Sequence, residues 1–349
     1  TIKSTQILQA MERQYIDLGE QAIILIDGPL IFFNLTANIF YACCLIFPPC
    51  NTQRLKQPLK MLLGLLVSCS IMYSVSLALL LCVLEEETSF EMFIVPLVIV
   101  RFYVTNSMTC SVWLNFYYYI QIVPAQRALL IWVKTNIKSV TYVILLFNGT
   151  FILFCSAVFT ADELFQRSGL TNTSNTLTGN QIDGLYFTSR ICFFSINVYI
   201  FLCLCILTVS SFSTAHYLHR HIKRVAQRGS FFSTPRIQSQ QRVTVTGISQ
   251  GVLYFLYASF YFFDSFTYMF SMDFYFSAWF TFTFTSLYTL GTTVNLAIGQ
   301  VIFRQRAADA WKALKALCGI GMVTPSPDAS QLTSGEIANT VPVDVQMSV

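Results

Sequence analysis

The sequence predicts an all-α membrane protein: a seven-transmembrane helix bundle followed by a short amphipathic helix on the inner membrane surface. Three observations carry that prediction. Of the 349 residues, 54% are hydrophobic and only 11% are charged, against roughly one quarter charged in an average soluble domain. Seven mostly uncharged runs follow one another, each of the about 20 residues that a bilayer core of about 30 Å takes per helix. Between them, Lys and Arg gather in alternate connections, the bias that sets topology.

Residues 1–20 are polar and are expected to form an extracellular amino-terminal segment. They do not read as a cleavable leader, because the first apolar run, 21–47, already has spanning length. Its following connection carries Arg54, Lys56 and Lys60 and no acid. The second span, 59–84, leads into Glu85, Glu86, Glu87 and Glu91 on the opposite side. After the third, 92–123, come Arg127, Lys134 and Lys138, again without an acid. The fourth, 140–160, is followed by Asp162, Glu163 and Asp183. The fifth, 191–214, precedes Arg220, Lys223, Arg224, Arg228, Arg236 and Arg242. The sixth, 243–272, has Asp264 and Asp273 at its outer end, and the seventh, 274–303, ends in Arg304, Arg306, Lys312 and Lys315. Sixteen of the 21 basic residues thus share one face. That face is expected in the cytoplasm, with the chain multi-pass in the cell membrane.

Residues 304–318 are amphipathic, with Ala307, Trp311, Leu314 and Cys318 on one side and Arg306, Lys312 and Lys315 elsewhere. Such a helix lies on a membrane surface. Cys318 there is either a palmitoylation site or an unmodified thiol. The last segment, 319–349, is poor in large apolar residues and reads as a disordered cytoplasmic tail.

An odd span count with an outer amino terminus and a basic inner face is the plan of a G-protein-coupled receptor. A transporter would more often show internal repeats with interrupted helices. A channel needs a selectivity element. Neither is evident, and a transporter or channel stands as the alternative from another class. No catalytic constellation appears, so no enzyme is expected. His216, His219 and His221 sit among basic residues at the inner end of the fifth span, which suits a signal-protein-facing surface better than a metal site. The chain therefore requires no cofactor, metal or nucleic acid.

Ionisable residues inside spans are costly and point to function by default. Asp27, Arg101 and Asp264 all fall in the outer third of their spans. They are snorkelling ends, a structural ion pair or ligand contacts. Helical spacing places Val104, Thr105 and Met108 beside Arg101, and Tyr257, Phe260 and Tyr261 in a stripe with Asp264. Together these eight residues outline a mixed aromatic and polar ligand pocket opening outward, although such stripes also serve as plain packing. Sequons occur at Asn34, Asn148 and Asn172. The first two lie inside spans, and only Asn172, in an outer loop, suits a glycan.

Rhodopsin-like signatures are missing, since the third span ends in Tyr118-Tyr119-Ile120-Gln121 and the seventh lacks Asn-Pro-x-x-Tyr. Other motifs carry a resemblance. Leu114, Phe116, Tyr118, Gln121-Ile122 and then Ile131-Trp132-Val133-Lys134 before Ile137 form a run across the third and fourth spans. Asn38-Ile39-Phe40, Leu63…Ser68, Phe255-Leu256-Tyr257-Ala258, and Leu296 with Gly299 and Phe303-Arg304-Gln305 extend it over the bundle. The chain resembles the bitter taste receptors, the type 2 taste receptors, in a fish-like form. It departs from their pattern at Cys69, Gln121 and Thr292-Thr293.

The resemblance implies a small bitter ligand bound from outside among the third, fifth, sixth and seventh spans. It also implies a heterotrimeric G protein of the gustducin and transducin class, engaged at an inner cleft among spans three, five and six. Gln121, Lys134, His216, Arg220, Lys223 and Arg224 are the residues expected to face that protein. A pheromone-type receptor resembling the vomeronasal type 1 group is the alternative within the class.

Overall fold

With no water in a bilayer core to satisfy exposed backbone groups, an apolar chain of this kind closes its hydrogen bonds within helices. The computed structural model describes the backbone of residues 2–47, 57–85, 90–124, 128–171, 179–227, 235–270 and 278–317. Among these residues the helices are α1 (Ile2–Ile46), α2 (Leu59–Glu85), α3 (Phe90–Ile122), α4 (Ala128–Thr135), α5 (Ile137–Thr171), α6 (Gly179–Gln227), α7 (Pro235–Met269), α8 (Ala278–Gly299) and α9 (Val301–Leu317). No strand occurs among them. The seven-span bundle is therefore α1, α2, α3, α5, α6, α7 and α8.

Six of these are apolar and long enough to cross a membrane on length and composition. The seventh, α8, has 22 residues and no charged side chain, a length of about 33 Å at 1.5 Å per residue. Its hydropathy is diluted by threonines, whose hydroxyls turn back onto their own helix. Thr285 Oγ1 donates to the Thr281 carbonyl at 2.7 Å and Thr289 Oγ1 to the Ser286 carbonyl at 2.9 Å. Polar atoms satisfied this way are compatible with lipid depth.

The boundaries differ from the expected ones in a consistent direction. The fourth and fifth spans, expected at 140–160 and 191–214, continue as helix over Ile137–Thr171 and Gly179–Gln227. Polar sequence outside the lipid does not end a helix unless a breaker does. The first apolar span begins at Ile24, close to the expected residue 21, and its helix α1 runs back ahead of it to Ile2. The seventh span stops at Gly299, short of residue 303, and a new helix starts at Val301.

Helix α3 is the central post, packed against α2, α5, α6 and α7, while α1 closes the ring between α2 and α8. The core has two centres. The outer one gathers Tyr73, Leu77, Val104, Met108, Tyr254, Tyr257 and Phe282. The inner one, in the half that carries the basic loop ends, gathers Tyr41, Leu62, Leu66, Leu114, Leu296 and Phe303. There the Tyr41 and Phe303 rings stack at 4.3 Å.

The chain divides into two compact units at Arg306. In the second, the described residues are the end of α9, where the Lys315 ammonium lies 5.4 Å from the Trp311 ring centroid. Cys318 and the tail 319–349 fall outside the described residues, as does Asn172.

Candidate functional site

In the outer half, α3 and α7 present most of the expected pocket residues to one another. Val104, Met108 and Tyr257 are buried in the shared outer core, and Tyr261 is partly buried against it. The Tyr261 phenol lies within electrostatic reach of both Arg101 and Asp264. Arg101 is solvent-accessible and Asp264 half-buried. The two charges act on each other through space. Two expected residues have contacts within or beside their own helices. Phe260 stacks on Phe284 of α8 at 4.3 Å, with the rings nearly parallel at 8°, and the Thr105 hydroxyl donates to the Arg101 carbonyl at 3.0 Å. The third intramembrane charge, Asp27, is fully buried on α1, where its Oδ2 accepts from Thr283 Oγ1 at 2.9 Å. Snorkelling is thus excluded for Asp27.

Polar networks run from the middle of the bundle into its inner half. On one side, Asn34 Nδ2 donates to Ser74 Oγ at 2.8 Å, Thr293 Oγ1 donates to Asn34 Oδ1 at 2.7 Å, and Asn38 Nδ2 donates to Thr293 Oγ1 at 2.9 Å. These four side chains, all buried, tie α1 to α2 and α8. On the other side, Asn115 Nδ2 on α3 donates to Ser211 Oγ of α6 at 3.0 Å and to the Gly247 carbonyl of α7 at 3.1 Å. Gln250 Nε2 donates to Thr292 Oγ1 at 3.1 Å, and Asn295 Nδ2 returns a bond to Gln250 Oε1 at 3.0 Å. Gln300 Nε2 donates to the Tyr118 hydroxyl at 2.6 Å.

The second network borders a cavity of about 40 Å³, lined by Ser111, Asn115, Tyr118, Gln250, Asn295 and Gln300 among others. That is room for a few waters, far below the volume of a small-molecule pocket. Ser111 Oγ is buried there near the Tyr288 phenol and closes no hydrogen bond. Gly247 gives room at this crossing: an added Cβ would come within 2.6 Å of Asn115 Oδ1, and the Asn115 side chain would have to shift.

At the basic end, Gln121 of α3, Lys134 of α4, and His216, Arg220, Lys223 and Arg224 of α6 are all exposed. No group of three or more His, Cys, Asp or Glu side chains suited to a metal occurs among the described residues. Asn34 and Asn148 are buried and hydrogen-bonded, Asn148 Nδ2 to Asn106 Oδ1 at 3.0 Å.

Sequence reasoning did not find Asn115, Gln250 and Asn295. Their signal was available as amide side chains inside apolar runs, with Gln250 one turn from Thr246. Thr292 and Thr293 were noticed only as departures, yet they join α8 to α7 and to α1.

A family model described as taste receptor protein (TAS2R) matches residues 18–315. No curated protein matches the chain. Among solved structures, the crystal structure of squid rhodopsin aligns with a TM-score of 0.54 at 12% identity, covering 86% of this chain and 88% of that one. At that identity the likeness is one of fold.

Proposed function

Because this chain belongs to the taste receptor protein (TAS2R) family of G-protein-coupled receptors, we propose that it detects small bitter molecules from outside the cell and activates a heterotrimeric G protein of the gustducin and transducin class. The family match across the whole bundle is the observation that carries the reading. The ligand sits in the outer half, where Arg101, Tyr261 and Asp264 converge above Val104, Met108 and Tyr257. A charge pair beside aromatic rings supplies both orientation and apolar area to a small amphiphile. Phe260 supports the wall from behind through its stack on Phe284, and Thr105 shapes α3 without donating to the ligand.

Activation is a population shift, in which a ligand preferring the active arrangement stabilises it. The inner ends of α3, α6 and α7 part, and the exposed Gln121, Lys134, His216, Arg220, Lys223 and Arg224 meet the G protein. The amino terminus is extracellular in the cell membrane, Asn172 carries a glycan, and α9 rests on the inner leaflet with Cys318 as its acylation site. The charge bias of the loops supports this orientation.

A panel of bitter compounds, read as calcium release in cells co-expressing a promiscuous G protein, tests the proposal. Agonist-dependent release that vanishes without the G protein is the expected result. Solute flux in G-protein-free vesicles, with no agonist anywhere in the panel, would replace the receptor with a transporter or channel.

A further inference from the structure

Asp27 is the most deeply buried charge-bearing side chain described in the bundle, at 0% exposure. Its Oδ2 takes one hydrogen bond, from Thr283 Oγ1 at 2.9 Å, and its Oδ1 is buried with no partner. A carboxylate stripped of water costs several kcal/mol unless a positive charge compensates it. Helix α1 packs against α2 and α8, and neither supplies a cation there. The ionisable group facing Asp27 from α2 is the Tyr73 phenol, and α8 offers the hydroxyls of Thr283 and Ser286. Tyr288, the single tyrosine of α8, is turned to Gln250 of α7.

The polar neighbours of this carboxylate are hydroxyls. The Ser286 hydroxyl approaches the same carboxylate without closing a hydrogen bond to Oδ1. Tyr73 OH lies 3.0 Å from Ser286 Oγ and 3.5 Å from the Phe282 carbonyl. A carboxylate with several neutral hydroxyl oxygens is the donor set of a hard cation. One carboxylate balances one positive charge, which selects a monovalent ion over a divalent one. Ile31, Leu80 and Phe282 are buried in the surrounding core, so an organic amine would have to displace apolar side chains.

We propose that Asp27, Thr283, Ser286 and Tyr73 form a binding site for a small dehydrated monovalent cation, of sodium size, that clamps α1 to α2 and α8 in the outer half of the bundle. The ion binds the folded receptor and not the unfolded chain, so it stabilises by mass action. This inference does not rest on the identity of the ligand.

The test is thermal unfolding of the full-length receptor in lipid nanodiscs, in sodium chloride against N-methyl-D-glucamine chloride at equal ionic strength and constant pH. Sodium is expected to raise Tm by about 2 to 4 °C, potassium by less. The shift should vanish in Asp27→Asn and shrink in Thr283→Val. If Asp27→Asn does not fold, broadening of the sodium-23 resonance by the wild-type receptor, reversed by Thr283→Val, supplies the same evidence. Equal Tm values in both salts would overturn the proposal. So would a sodium shift that survives Asp27→Asn, or, when the comparison is repeated at several pH values, a Tm that follows pH and not sodium, which would make the bound species a proton.

Discussion

The two inner polar networks use the same chemistry to opposite ends. On the α1–α2–α8 side, Asn34, Asn38, Ser74 and Thr293 bond one another and are all but inaccessible. On the α3–α6–α7 side, Asn115 and Gln250 border a cavity, and the Ser111 Oγ that also lines it closes no hydrogen bond. A satisfied buried network rigidifies, and a partly satisfied one with space beside it can rearrange at lower cost. The bundle therefore has a fixed flank and a flank able to change its packing.

The largest effect should follow from attacking the fixed flank. Asn34→Leu removes the donor to Ser74 and the acceptor of Thr293, which severs the link between α1 and α2 and leaves both hydroxyls under-satisfied inside the bundle. A destabilisation of about 2 to 3 kcal/mol is expected, seen as lower Tm and reduced surface expression. Wild-type stability in this variant would mean that the network holds nothing together.

Gly247→Ala should cost less, about 1 to 2 kcal/mol, because Asn115 can swing into the adjoining cavity. Its signature is functional. Displacing Asn115 breaks its bonds to Ser211 and to the Gly247 carbonyl, so basal G-protein activation should change by more than surface expression does. If the two change in parallel, the α3–α7 crossing is only packing.

The smallest effect lies at the outer pocket. Arg101→Gln should weaken responses to anionic agonists by about tenfold in EC50, equivalent to about 1.4 kcal/mol, with cationic agonists little altered. The planar guanidinium suits a carboxylate or sulfonate. Equal losses for both ligand classes, reproduced by Asp264→Asn at matched surface expression, would assign the two charges to holding the bundle.

The span count and the outer charges were legible in the sequence, because a lone Asp or Arg in an apolar run stands out against its neighbours. The inner networks were not. Asn, Gln, Ser and Thr are tolerated throughout such runs, and a sequence does not say that Asn38 meets Thr293, 255 residues away. The stack of Phe260 on Phe284 was equally hidden, and it has a geometric cause. At 3.6 residues per turn it sits about 60° to one side of Tyr257 and about 100° from Tyr261, enough to face α8 rather than α3. The helix ends were misjudged because apolarity marks where lipid ends, and α5 and α6 continue past that limit.

The central claim is that ligand binding moves the α3–α6–α7 flank and leaves the α1–α8 flank in place. Spin labels at the exposed positions 121 of α3 and 241 of α7, with a reference pair at positions 46 of α1 and 298 of α8, measure both flanks in one receptor. With an agonist and G protein bound, the distance between Gln121→Cys and Gln241→Cys labels should lengthen. The distance between Ile46→Cys and Ile298→Cys labels should stay as it is in the free receptor. A change confined to the reference pair, or none at either pair in a receptor that signals, would contradict the account.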